Sequence, residues 1–167
     1  DSMVNPLGVG GMSRLSAPSP RAEVTACRPF DRRRDGLVIG EGAAMFVVEE
    51  ESRARARGAS PLARILGWAT TQDAYRATAP RPDGSRARAA MERAVRRAKL
   101  QPSDIGYINA HAPSDTLLDK LEADMLVQSF GEKTTKAMPI SSIKGSIGSP
   151  FSAAGAFQVA ASALSLF

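Results

Sequence analysis

The sequence predicts a layered α/β fold, and three observations carry that prediction. Apolar residues make up 43% of the 167 residues and charged residues 23%, the balance of a soluble domain long enough to bury a core. Short apolar runs bounded by glycine or proline alternate with stretches of helical periodicity through the second half of the chain. The resulting order, strand–helix–strand–helix–strand–helix, is the one that packs helices against a sheet.

Residues 1–30 are rich in Gly, Pro, Ser and Met, and "SAPSPRAE" (Ser16–Glu23) reads as a surface loop. Asp35–Glu51 holds two apolar runs split by Gly40 and Gly42, and the second, "AAMFVVE", predicts a buried strand. An arginine-rich turn follows, then a strand over "LARILGWAT" (Leu62–Thr70). Pro80, Pro82 and Asp83-Gly84 make Tyr75–Arg86 a loop. Met91, Ala94, Val95 and Ala98 stand at helical spacing, so Ala87–Leu100 predicts an amphipathic helix with an arginine face. A turn then leads into a short strand at Ile105–Ala110. Leu118, Leu121 and Met125 mark the next helix, which ends near Gly131. "AMPISSI" (Ala137–Ile143) predicts another strand, and the nearly all-apolar stretch after Pro150 predicts a buried helix. That helix has no stop signal and the first thirty residues read as a continuation, which suggests either an incomplete unit or a peculiarity of this chain.

Charge and residue type narrow the functional classes. The net charge is +5 and the pI about 9.9, carried by "DRRRDG" (Asp31–Gly36), "SRARARG" (Ser52–Gly58) and "ERAVRRAK" (Glu92–Lys99). Such runs attract acidic partners or simply form solvated faces and helix C-termini. Aromatic residues are only 5% and do not interleave with the basic runs, which argues against a nucleic-acid partner read by base stacking. No apolar run reaches the roughly 18 residues of a membrane span. The N-terminal "DSMVNPLGVGGM" lacks the features of a signal peptide, so a cytoplasmic protein is expected. One cysteine and one histidine leave no disulfide framework and no conventional zinc site, and no metal is expected.

The candidate chemistry starts at His111, the single histidine, in "YINAHAPSDTLLDKLE" (Tyr107–Glu122). It follows a predicted strand, a place where α/β residues face a crevice, although a lone histidine serves a core equally well. Lys144, in "SSIKGSIGS" (Ser141–Ser149), also follows a strand, as a site residue or an ordinary loop charge. Asp119 and Glu122 are three residues apart on one helix face, a spacing that also suits the first turn of a helix. Cys27 has no helix N-terminus or base arranged to make a thiolate, so a packing role is expected. "GVGGM" (Gly8–Met12) lacks the rest of a phosphate-binding loop, and the serines of 141–149 lack a nucleophile-elbow context.

Three long motifs in order give a resemblance. "ACRPFDRRRDGLVIGEGAAMFVVEE" resembles the segment of β-ketoacyl-acyl carrier protein synthases that reads ACRPFDxxRDGFVxGEGAxxLVLEE. "NAHAPSDTLLDKLE" is similar to their NAHGTSTxxGDxxE segment, and "PISSIKGSIGSPFSAAGA" to their VSSTKxxxGHxxGAAGA segment. The resemblance covers essentially the whole chain. It implies the thiolase-like layered α/β/α/β/α fold, here an incomplete portion, with residues 1–60 ending the first half and 61–167 forming most of the second. It also implies that the family's nucleophilic cysteine lies outside this chain and that Cys27 is the packing cysteine.

The activity implied is decarboxylative condensation of malonyl-carrier protein with a cysteine-bound acyl chain, in fatty acid or polyketide synthesis. His111 would stabilise the enolate oxygen. Lys144 would organise the site, paired with Glu122, and Asp119 would be a supporting carboxylate. Ser149 stands at the second histidine position; its hydroxyl donates a hydrogen bond but carries no charge. The phosphopantetheine arm, carried by the acyl carrier protein and not bound as a cofactor of the chain, would pass "APSD", with Pro113 and Asp115 lining its path. Ala112-Pro113 replaces Gly-Thr there, which removes a hydroxyl and a backbone N–H; Leu118 and Ser152 replace glycines. Expected partners are an acidic carrier protein, drawn in part by Arg32–Arg34, and a polypeptide holding the missing synthase half, in a homodimer or heterodimer. A non-catalytic subunit similar to chain-length factors is the alternative.

Overall fold

A computed structural model describes residues 2–167. The chain is α/β, as expected. In order it forms α1 (Pro6–Arg14), α2 (Glu51–Ala56), α3 (Ser85–Arg97), a 3-10 turn (Pro102–Asp104), β1 (Ile108–Asn109), α4 (Leu118–Phe130), α5 (Glu132–Ala137), β2 (Ile140–Ser141), α6 (Lys144–Ile147), a 3-10 turn (Phe151–Ala153) and α7 (Ala154–Leu164). Strands β1 and β2 pair in parallel, Ile108 opposite Ile140 and Asn109 opposite Ser141. Parallel partners need a crossover, which α4 and α5 provide.

Helix α4 is the element that positions the site. The Asp115 carboxylate accepts the Leu117 and Leu118 N–H groups at 2.8 and 2.7 Å, satisfying amides that have no partner within a helix start. The helix ends at Gly131, whose φ of 82° suits a residue without a Cβ. Helix α3 lies against it, and Arg88 donates to Gln128. Helix α7 docks on β1 through polar bonds: Gln158 Nε2 donates to the Asn109 and Ala110 carbonyls at 3.0 and 2.9 Å, while Asn109 Nδ2 donates to the Gln158 carbonyl at 3.1 Å. The buried core, which includes Ala26, Cys27, Leu37, Ala110, Ala112, Ser114, Asp119, Leu126, Lys144 and Ser149, gathers around the ends of β1 and β2.

Several expectations change. The segments expected as strands at "AAMFVVE" and Leu62–Thr70 are unpaired among the described residues, and Met45 and Trp68 are 96% and 63% exposed. Their sequences suit strands, but a strand needs neighbours for its N–H and C=O groups, and no ladder forms here; the Trp68 carbonyl instead accepts from the Arg97 guanidinium at 2.9 Å. Gly67 still rests against α3, where a Cβ would collide with the Ala94 carbonyl. Helix α7, expected to be buried, buries only Ala154 and leaves Val159 and Leu164 exposed. Helix α2 replaces the arginine-rich turn, with Arg55 bonded to Glu51 at 2.7 Å one turn away. Helix α1 forms in the glycine-rich start, where the Asn5 side chain accepts the Gly8 N–H at 2.9 Å and Pro6 opens the helix. Among the described residues, no helix is long and apolar enough to cross a membrane.

Candidate active site

The loop from His111 to Thr116 joins β1 to α4, and side chains from three directions hold its backbone. Glu122 of α4 accepts the His111 N–H on Oε1 at 2.8 Å and the Ala112 N–H on Oε2 at 2.7 Å, so both oxygens are engaged. Ser142 Oγ donates to the Ala112 carbonyl at 2.9 Å. Lys144 Nζ donates to the His111 carbonyl and lies 3.5 Å from His111 Nδ1. The strand ends thus bring His111 and Lys144 together, as their places after β1 and β2 suggested.

Lys144 is 1% exposed, and burial pushes its ammonium pKa down, opposed by the charge of Glu122 and, less, by Cys27 and Asp119. Glu122 reaches Lys144 through this field; no ion-pair contact joins them among the described residues. His111 is exposed on one side; desolvation by the protein on the other, and then the Lys144 charge, bring its pKa from 6.5 down to about 4. The ring is therefore neutral near pH 7. A lysine ammonium beside Nδ1 favours the lone pair on that nitrogen, which places the ring proton on Nε2.

Asp119 faces a different target from Glu122. It is 0% exposed, with Oδ2 accepting the Phe30 N–H at 2.8 Å and Oδ1 accepting the Ser114 N–H at 3.1 Å. Burial raises its pKa, opposed by the Phe30 N–H, Arg34 and the Ser114 N–H. It thereby ties the loop after His111 to the Cys27–Gly36 segment. Cys27 itself is buried with its thiol pKa pushed up by desolvation, and its Sγ lies 4.0 Å from the Pro113 carbonyl. That is the behaviour of a packing cysteine.

Ser149 is buried just beyond the end of α6. Its N–H donates to the Val38 carbonyl at 2.7 Å and its carbonyl accepts the Gly40 N–H at 3.0 Å. Gly40 permits this approach, since a Cβ there would strike the Ile147 carbonyl. Pro113 is buried in the loop, and the Asp115 carboxylate is committed to the amides that begin α4. Sequence reasoning missed Ser114, Ser142 and Arg34 as parts of this site. Small polar residues and a run of arginines carry no signal of what they will bond.

No group of three or more His, Cys, Asp or Glu residues able to hold a metal occurs among the described residues. What the arrangement offers is a neutral N–H donor backed by a buried cation, which suits stabilisation of developing negative charge on oxygen.

Residues 62–167 match the family described as "Beta-ketoacyl synthase, C-terminal domain", and residues 1–54 the corresponding N-terminal domain. The 3-oxoacyl-[acyl-carrier-protein] synthase 2 of Staphylococcus aureus is 39% identical over 167 residues, covering 99% of this chain and 41% of that protein. A type II PKS ketosynthase solved in complex with its acyl-carrier protein and bound to the hexaketide superposes with a TM-score of 0.91 at 32% identity, over 98% of this chain and 41% of its own. A Beta-ketoacyl synthase from Burkholderia phymatum STM815 gives 0.86 at 36% identity, over 96% and 38%. The chain spans about two fifths of the length of these relatives. It has the thiolase-like fold of ketosynthases, in part. The chain belongs to the β-ketoacyl synthase family.

Proposed function

We propose that these residues form the enolate-stabilising portion of a β-ketoacyl-acyl carrier protein synthase, with residues 1–60 ending one thiolase-like half and 61–167 forming most of the other. The nucleophilic cysteine would be supplied by polypeptide outside these 167 residues. In the condensation, the bond between the malonyl Cα and its carboxylate breaks, CO₂ leaves, and the electron pair passes into an enolate. The carbanion then attacks the acyl thioester carbonyl, forming a C–C bond and releasing the cysteine thiolate. His111 Nε2–H donates to the enolate oxygen, Lys144 fixes the tautomer and adds positive potential, and Glu122 and Asp119 hold the loop. The observation that carries this reading is the buried Lys144, its Nζ at the His111 carbonyl and 3.5 Å from Nδ1.

Ser149 offers a neutral hydroxyl where the family has a second imidazole. Removing an oxyanion donor costs about 10²–10³ in rate, so a slow enzyme is expected. Likeness to the ishigamide ketosynthase/chain length factor, with a TM-score of 0.86 at 31% identity, gives the second reading: a non-catalytic subunit beside an active synthase. Release of CO₂ from malonyl-carrier protein by a protein containing this chain separates the two. The enzyme reading expects measurable release, a loss of about 10²-fold or more in His111→Ala and a gain in Ser149→His. No release by any of the three proteins supports the subunit reading.

The partner proposed is an acidic carrier protein bearing phosphopantetheine. Arg32 and Arg33 are exposed and suit docking; Arg34 points inward and does not.

A further inference from the structure

We infer that Arg34 is the positioning residue of the His111 loop, a guanidinium fork that fixes the end of the loop while Glu122 and Lys144 hold its start. Its Nε donates to the Asp115 carbonyl at 3.0 Å, one terminal nitrogen to the Thr116 carbonyl at 2.7 Å, and the other to the Asp31 carbonyl at 3.0 Å. Nε also stands 3.7 Å from the buried Asp119 carboxylate. Planar donors in fixed directions meet acceptors that a lysine, a single point charge, cannot reach together.

The loop needs such a clamp. Ser114 sits at a φ of 75°, a left-handed conformation that a residue with a Cβ adopts only when its surroundings enforce it. Those surroundings come from the Cys27–Gly36 segment: Ser114 Oγ accepts the Arg28 N–H at 3.0 Å, and the Ser114 carbonyl accepts the Gly36 N–H at 3.1 Å. Arg34 is the side chain of that segment that bonds the loop's last two carbonyls. The turn it closes separates His111 from α4, which carries Glu122. If the turn relaxes, the imidazole, already exposed on one side, shifts relative to Lys144 and loses part of its desolvation. Arg32, two residues away, is exposed and makes no ion pair among the described residues, so Arg32→Gln removes the same charge without touching the loop.

This inference rests on reading His111 as the acting imidazole, and its test needs no turnover. With one histidine in the chain, the ring resonance of ¹³C-histidine-labelled protein reports this site alone. Its titration is followed in the unaltered chain, Arg32→Gln, Arg34→Gln and Arg34→Lys. The groups facing the ring, Lys144 and Glu122, are the same in all four, as is the neighbouring Asp119. The expected midpoint is about 4 in the first two. In both Arg34 variants it rises toward the ordinary histidine value, by about one unit or more. An unshifted midpoint in folded Arg34→Lys overturns the fork, because retained charge then suffices. An unshifted midpoint in Arg34→Gln overturns any positioning role. If Arg34→Gln does not fold, Arg34→Lys alone decides. Whatever the result, CO₂ release still tests the condensation reading separately.

Discussion

At the scale of the residue, His111 shows how a common side chain becomes a specialised one. Its neutral form is favoured because burial and Lys144 both oppose a second positive charge, which lowers its pKa from 6.5 to about 4. The consequence for stability has a definite sign. Above about pH 6.5 the ring is neutral in both folded and unfolded chains and adds no pH dependence. Between 6.5 and about 4 the unfolded chain takes up a proton that the folded chain refuses, so stability falls as pH falls through this window. Below about 4 both states are protonated and the loss is complete. Substituting His111→Gln should therefore flatten this part of the profile. Urea midpoints at several pH values between 7 and 4, unaltered chain against variant, measure it. Parallel profiles for the two proteins would rule out a depressed His111.

At the scale of the element, α4 is the frame of the site, and its start depends on Asp115. Replacing Asp115 by alanine leaves the Leu117 and Leu118 amides without their acceptor, a loss of about 1 kcal/mol by analogy with helix caps. A urea midpoint unchanged in Asp115→Ala would show that water serves those amides equally well. Helices α3 and α4 and the pair β1–β2 were legible in the sequence because their signals are local: apolar spacing, Gly131 as a stop, short apolar runs before His111 and Lys144. Helices α1 and α5 were not, since "PLGVGGMSR" is rich in glycine and "EKTTKA" has almost no apolar face. Within the site, the spacing of Asp119 and Glu122 put both on one face of a helix. It said nothing of their targets, which are backbone N–H groups brought close only by tertiary structure. Arg34 was hidden in a run of three arginines, where one inward side chain looks the same as two solvated ones.

At the scale of the whole molecule, the surface is too large for the mass. A compact chain of 17.6 kDa exposes about 7,900 Å², whereas this one exposes 11202 Å². The difference, roughly 3,300 Å² on this chain alone, far exceeds the about 800 Å² per partner of a standard interface, as obligate interfaces do. Much of it is apolar: Met45, Val47 and Val48 in one unpaired segment, Leu62, Ile65 and Trp68 in the other, and Val159, Leu164 and Phe167 in and beyond α7. Both segments have β-forming sequences and backbone groups without partners in a sheet, which makes them templates for added strands. Because the chain spans about two fifths of its relatives, the proposed complement is polypeptide equivalent to the remainder of a synthase. Amide hydrogen exchange can test this. In the chain alone, residues 43–49 and 62–70 should exchange nearly as fast as an unfolded peptide. They should slow by about 10²-fold or more when that complement is co-expressed and the assembly purified. Strong protection of both segments in a chain shown by sedimentation to be monomeric would mean that they find partners within the 167 residues. Protection that appears with concentration in the chain alone would instead assign the surface to a second copy.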